Sequence, residues 1–264
     1  MPALDLVTYG GTNIGTTEVA LAPVSGDSRN IRNFDPSKKA HILSFFAWGQ
    51  GAGYLRFKSP RMHDNVANLQ FDGVANIKEW LIPGVGQEVF AQDELNVTGA
   101  INDGAGDIQI AQALIYYDDL PGANGNYISW NDVKPRIRNI LSVKETFAIG
   151  ATFVWSGSQN IVADQDLLKA NTNYAVLGFT FGTYGLSIAI RGTDTGNLRI
   201  GLPCLRDALD PTRLGFKLLS EIYGLPTIPI INSANKTNTY IEGIGNETTN
   251  GTDTYNLILA ELAP

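Results

Sequence analysis

Between Ala40 and Arg191 the pattern of apolar and polar positions is written twice. His41-Ile-Leu-Ser-Phe-Phe-Ala-Trp-Gly49 is a largely apolar run, followed by a four-residue turn. Tyr54-Leu-Arg-Phe-Lys58 then alternates, with Leu55 and Phe57 on one side and the polar residues on the other. Adding 133 to each number, without a gap, gives Tyr174 to Gly182, a second turn, and Ser187-Ile-Ala-Ile-Arg191. Phe46 lands on Phe179, Gly49 on Gly182, Leu55 on Ile188, Phe57 on Ile190 and Lys58 on Arg191. The pattern predicts one strand-turn-strand unit used twice.

Flanking landmarks keep the same order. Asn68-Leu-Gln-Phe71 and Asn197-Leu-Arg-Ile200 follow the hairpins at an offset of 129. Ser25-Gly26 with Asn30-Ile31, and Ser156-Gly157 with Asn160-Ile161, precede them. Each half closes on an apolar strand with an acidic end, Ile108 to Asp119 and Tyr255 to Glu261. A period near 130 residues is that of a duplicated domain, well above solenoid or propeller units.

Further strands are expected at residues 4–9, 17–24, 89–90, 95–101, 147–155, 228–231 and 240–244, with turns at Gly10 to Gly15 and at Asn102 to Gly106. Helical turns are expected over 75–81 and 163–169. Ser129-Trp-Asn-Asp132 reads as a helix start, with Val133, Ile137 and Leu141 on one face. The strongest helix pattern is 210–223, with Asp210 as N-cap, Pro211 at the first position and Gly224 as the stop. Its predicted buried face is Leu214, Leu218 and Ile222.

Composition sharpens this picture at a few points. Charged residues are 17% of the 264, fewer than ordinary soluble domains carry, so much of the surface is neutral or covered by other subunits. The net charge of −7 and the lack of a broad Lys/Arg cluster argue against sequence-specific nucleic-acid binding. No apolar run is long enough for a membrane helix, and the start has no signal-peptide pattern, which predicts synthesis and assembly in a cytoplasm. The Asn-X-Thr sequences at Asn96, Asn235, Asn246 and Asn250 are read as ordinary turn composition.

Candidate chemistry is sparse. His41 falls at the repeat position of Tyr174 and reads as a strand residue, and His63 reads as a surface-loop residue without a second metal ligand nearby. Cys204 lies among apolar neighbours and reads as a buried inert thiol. Asp118 and Asp119 are adjacent on a strand end, where neighbouring side chains point to opposite faces. No nucleophile motif is present. The expectation is therefore no catalytic residue, no cofactor-binding residue and no metal site, hence no enzyme; only a pair of carboxylates for glycosidase chemistry stays open among 26 acidic residues.

The repeated hairpins at 41–58 and 174–191, the two β-rich halves, the connector and the helix at 210–223 together resemble the double jelly-roll major capsid proteins. These form the shells of tailless icosahedral viruses, the lineage of adenovirus hexon and the internal-membrane bacteriophages. The resemblance implies an all-β fold of two tandem antiparallel jelly-roll barrels with a few short helices. The expected domains are 1–121, a helical connector 122–142, and 143–264 with its inserted helix. It further implies a homotrimer that looks six-sided and tiles a virion, in contact with neighbouring trimers, penton and minor capsid proteins and an internal membrane. Structural calcium between subunits is compatible with the resemblance, but no ligand residues carry over. Two other readings stay open: a tandem β-sandwich carbohydrate- or receptor-binding module, with Trp48, Trp80, Trp130 and Trp155 as candidate stacking rings, and a β-sandwich hydrolase.

Overall fold

Eight principal strands recur in each half, and their order in the sheets defines the fold. The computed structural model describes residues 1–24, 26–59, 69–75, 78–101, 107–149, 153–156, 159–181, 185–203, 214–245 and 251–264. By internal contacts the chain divides into residues 6–121 and a second unit of 122–264 together with 1–5.

The first half contributes β1 (Ala3–Ile14), β2 (Val19–Ala20), β3 (Ala22–Pro23), β4 (Ala40–Gly49), β5 (Gly53–Lys58) and β6 (Leu69–Asp72). It continues with β7 (Lys78–Leu81), β8 (Gln87–Val89), β9 (Asn96–Ile101) and β10 (Asp107–Tyr117). One sheet runs β3-β1-β10-β4-β7, with β8 continuing the outer position of β7 along β4, and the other runs β2-β9-β5-β6. After the short β11 (Tyr127–Ile128), the second half contributes β12 (Ile137–Ile149), β13 (Gln159–Asn160), β14 (Asn173–Phe181) and β15 (Gly185–Gly192). It closes with β16 (Ile200–Pro203), β17 (Ile228–Asn232), β18 (Thr239–Gly245) and β19 (Gly251–Leu262). Its sheets run β11-β17-β14-β19-β12 and β13-β18-β15-β16. With β7 and β8 taken as one strand and β3 and β11 as edge additions, both halves have the strand order 1-8-3-6 in one sheet and 2-7-4-5 in the other. That order is the jelly roll, two interleaved Greek keys. The chain is a double jelly roll.

The two predicted hairpins, β4–β5 and β14–β15, are the third and fourth strands of their barrels and so occupy equivalent places. Two details deepen the equivalence. The pairing of β4 with β10 passes over Leu43, and that of β14 with β19 passes over Leu177, so each barrel carries a bulge at nearly the same point. Leu55 and its counterpart Ile188 each face a glycine on the seventh strand, Gly99 and Gly243. A Cβ at Gly99 would lie 2.0 Å from Gln109 Oε1, and one at Gly243 would lie 2.6 Å from the Tyr255 hydroxyl. In each barrel a side chain of the last strand therefore fills the room a Cβ would need.

The barrel interiors are packed with side chains. In the first, Phe45, Phe57 and Phe71 bridge the two sheets, with Phe45 and Phe57 centroids 4.5 Å apart and Phe57 edge-on to Phe71 at 5.8 Å. In the second, Phe147 of β12 stacks on Tyr255 of β19 at 4.7 Å. Aromatic pairs at such separations add to the area they bury.

Several sequence expectations change. The glycines at 10 and 11 form no turn; β1 runs through them to Ile14. Residues 78–81 are strand β7, where a helical turn was expected, because their backbone pairs with Ser44 to Ala47. Residues 163–169 are a bend followed by irregular chain held by side chains, as where Asp166 accepts from the Leu168 N–H at 3.2 Å. The strand expected to reach Trp155 does not include it: β12 is described to Ile149, and residues 153–156 are a turn and irregular chain. Ser129 does start a helix, accepting from the Asp132 N–H, but α1 spans only Trp130–Val133 and gives way to one 3-10 turn, Lys134–Arg136. Ile137 and Leu141 are in β12, where pairing with β19 over its whole length outweighs the helical spacing.

Helix α2 (Gly215–Tyr223) is present and ends as expected at Gly224, whose φ of 67° is left-handed. Its predicted N-cap, Asp210, lies outside the described residues. Its predicted face is wrong. Phe216 and Leu219 are buried, whereas Leu218 and Ile222 are 42% and 51% exposed. The larger Phe216 takes the sheet side, edge-on to Phe179 at 5.5 Å, while Gly215 lets the helix approach Leu202. Ser220 stays on the buried face because its hydroxyl donates to Leu225 O and accepts from the Trp130 N–H. Leu218→Asp is therefore expected to change unfolding free energy by no more than about 0.5 kcal/mol, as surface substitutions do. A urea titration that shows a large loss would place Leu218 in the core.

Candidate functional site

The 2-7-4-5 sheet of each barrel carries a buried or half-buried carboxylate held by two cations. In the first, Glu18 precedes β2 and receives Arg56 and Lys58 from β5, each at 2.6 Å, and the Thr98 hydroxyl from β9. Arg56 lies over the Tyr54 ring, 4.3 Å from its centroid. In the second, Glu242 of β18 receives Arg191 from β15 at 2.8 Å and Arg199 at 2.7 Å. Arg199 in turn lies 4.8 Å from the Trp155 ring centroid. Lys58 and Arg191 are repeat counterparts at offset 133, and Gln70 and Arg199 at offset 129. Only Lys58 and Arg191 are shared by the repeat, so the two clamps lie beside the same alternating strand but are built from different residues. Sequence reasoning matched Lys58 with Arg191 as repeat positions but gave them no partners, because Glu18 and Glu242 come from non-equivalent elements. The signal for Glu242 was a charge inside the apolar run Tyr240 to Ile244.

Burial alone would raise the Glu18 carboxyl, but hydrogen bonds from Lys58 and Thr98 and the charges of Lys58 and Arg56 outweigh it and hold the group at about 2. A carboxyl lowered by folding stabilises the fold above its unfolded value, and that contribution is lost as pH falls from about 4.5 towards 2. Glu18→Gln is expected to flatten the fall in stability across that window, measured by urea unfolding at stepped pH. An unchanged slope would remove Glu18 from the acid response.

The remaining titratable groups among the described residues do not converge. His41 is buried in β4 between Glu88 of β8 and Tyr116 of β10, and burial lowers its pKa, so the ring is neutral at pH 7. His63 and Cys204 lie outside the described residues. Asp118 and Asp119 follow β10, the first exposed, with the Asp118 N–H donating to Lys39 O. Glu145 is fully buried in β12; burial raises its pKa, while Gln159 Nε2 and the Asp164 N–H donate to it at 2.9 and 3.0 Å. Among the described residues, no three His, Cys, Asp or Glu side chains gather as a metal site. None of the described helices is long and apolar enough to cross a membrane.

Of the tryptophans, Trp155 is buried beneath Arg199, and Trp48 is half-buried in β4. The Trp80 side chain lies outside what is described. Trp130 lines a cleft of about 220 Å³ with Ser129, Asn131 and Glu221. Its ring face is covered by Lys217, whose ammonium sits 5.0 Å from the centroid and pairs with Glu221 at 2.7 Å. A sugar ring would have to displace that lysine.

No protein-family model matches this sequence, and no curated protein matches it. Similar solved structures include the major capsid protein P2 from bacteriophage PM2, at 10% identity over 100% of this chain and 98% of that one, with a TM-score of 0.27. The PBSX exported protein XepA is 7% identical over 98% and 86% of the two chains, with a TM-score of 0.28. The STIV MCP is 8% identical over 100% and 97%, with a TM-score of 0.21. The jelly-roll assignment rests on the strand order of this chain itself.

Proposed function

We propose that this chain is a structural subunit of an icosahedral viral shell, a major capsid protein that works as a homotrimer. The observation that carries the reading is the pair of tandem jelly rolls in one chain. Jelly rolls also serve lectins and cupins, which need a ligand cavity or a metal. Here the interiors are occupied by Phe45, Phe57 and Phe71 and by Phe147 and Tyr255, and the clustered carboxylates are neutralised by their own arginines and lysines. Among the described residues such a chain offers surfaces, and its clustered carboxylates are engaged by its own cations. Its role in this reading is packing, not catalysis.

In this reading the first barrel ends at residue 121, the start of the segment 122–142 leads into the second barrel, whose first strand β12 begins at Ile137, and three chains bring six barrels around one axis. Closed cyclic symmetry then uses one heterologous contact three times. Neighbouring trimers, with penton and minor components at the vertices, complete the shell, which forms in the host cytoplasm. Light scattering on the purified protein is expected to give a mass near three times 28.5 kDa. A stable monomer at every concentration that binds a glycan would overturn the reading in favour of a carbohydrate-binding module.

A further inference from the structure

Two outer strands of the 1-8-3-6 sheets carry opposite charge around exposed apolar residues. In the second barrel β12 is, among the described residues, the outermost strand, paired with β19. Its start and the turn before it, 134–144, contain Lys134, Arg136, Arg138 and Lys144 and no carboxylate, in a chain of net charge −7. Lys134, Arg138 and Lys144 are exposed, and Ile140 between them is 51% exposed. In the first barrel β7 and β8 together form the outermost strand along β4. Strand β7 begins at Lys78, opposite Ala47, and the stretch 79–95 that follows contains Glu79, Glu88, Asp93 and Glu94 and no lysine or arginine. Glu94 pairs with Arg29 and Asp93 accepts from Ser59, while Glu88 is exposed near the 66% exposed Val85; Glu79 is exposed beside Leu81, though the packing around its carboxyl raises its pKa.

We infer that these two surfaces bind each other between copies of this chain, the 134–144 face of one copy on the 79–90 face of the next. The inference rests on the proposal that copies associate. Neither surface can pair with itself, since that would oppose like charges. A contact between two different faces of one chain is the head-to-tail kind that closes rings. A polyanion would meet the basic face but be repelled by the rest of the acidic chain, whereas a second copy supplies both the acidic face and apolar residues to cover Ile140. The contact is made by side chains and not by an added strand. The outward N–H groups of Ile140 and Thr146 are already taken by the side chains of Asn139 and Asp164 at 3.0 and 2.7 Å, which guards this edge.

Charge reversal tests the inference. Arg138→Glu with Lys144→Glu, and separately Glu79→Lys with Glu88→Lys, are each expected to weaken self-association about tenfold or more at low salt, read by sedimentation velocity. In an equimolar mixture every contact between unlike variants opposes unlike charges, but a ring of three must also hold one contact between like variants, so association is expected to return only in part. One chain carrying all four changes is expected to associate by itself, with circular dichroism confirming that each variant is folded. Wild-type association with both reversals indistinguishable from it, or a mixture and a fourfold variant that both stay dissociated, overturns this interface and leaves the capsid reading standing. Wild-type protein that never exceeds 28.5 kDa overturns both.

Discussion

Phe216→Ala is expected to destabilise the protein by about 3–5 kcal/mol, the usual cost of emptying a buried phenylalanine site. Phe216 is fully buried, and its ring meets Phe179 edge-on, so truncation opens a cavity between α2 and β14. The helix cannot collapse into the space easily. Gly215 already lies against Leu202, and the Thr227 hydroxyl is tied to Phe216 O at 3.1 Å. Urea unfolding of Phe216→Ala beside Leu218→Asp separates the two faces of the helix. A small loss for the first and a large loss for the second would mean that the helix is rotated from the position described above.

Glu242→Ala is expected to cost roughly 3 kcal/mol, because removing one member of a buried ionic cluster leaves the other charges without compensation. Arg199 is the group that suffers: its side chain is 15% exposed and sits over Trp155, whereas Arg191 is 42% exposed and can turn to water. Glu242→Gln keeps the shape and an acceptor oxygen and should recover part of the loss. Thermal and urea unfolding of the two variants test this. Equal stability of Glu242→Ala and the wild type would show that the clamp contributes nothing net.

Much of this architecture was legible because strand alternation is a local signal. The offset of 133 located two hairpins that the structure places as the third and fourth strands of both barrels. What stayed hidden depends on contacts distant in sequence. Edge strand β7 looked like a helical turn, since four residues carry little periodicity and only pairing with β4 decides their state. The face of α2 was misread because Leu214, Leu218 and Ile222 form as regular a stripe as the one that is buried. The choice fell to ring size at Phe216 and to hydrogen bonds of Ser220, neither of which periodicity reports. The two clamps were invisible for a similar reason. Glu18 lies 38 and 40 residues from its cations, and Glu242 lies 51 and 43 from its own. The open basic face on β12 was hidden by an expected helix, which would have spread Arg136, Arg138 and Lys144 around a cylinder.

The aromatic cluster of the first barrel says how far the two halves have drifted as exchangeable parts. By the repeat offsets Phe45, Phe57 and Phe71 correspond to Gly178, Ile190 and Ile200, while the second barrel fills its interior with Phe147 and Tyr255 instead. A chimera carrying segment 41–58 in place of 174–191 would keep nearly the same backbone ladder, bulge included. It would also drive the Phe45 ring into space shaped around a glycine. Each barrel fills its interior with its own set of side chains, so exchange of segments between the halves is opposed by packing and not by topology.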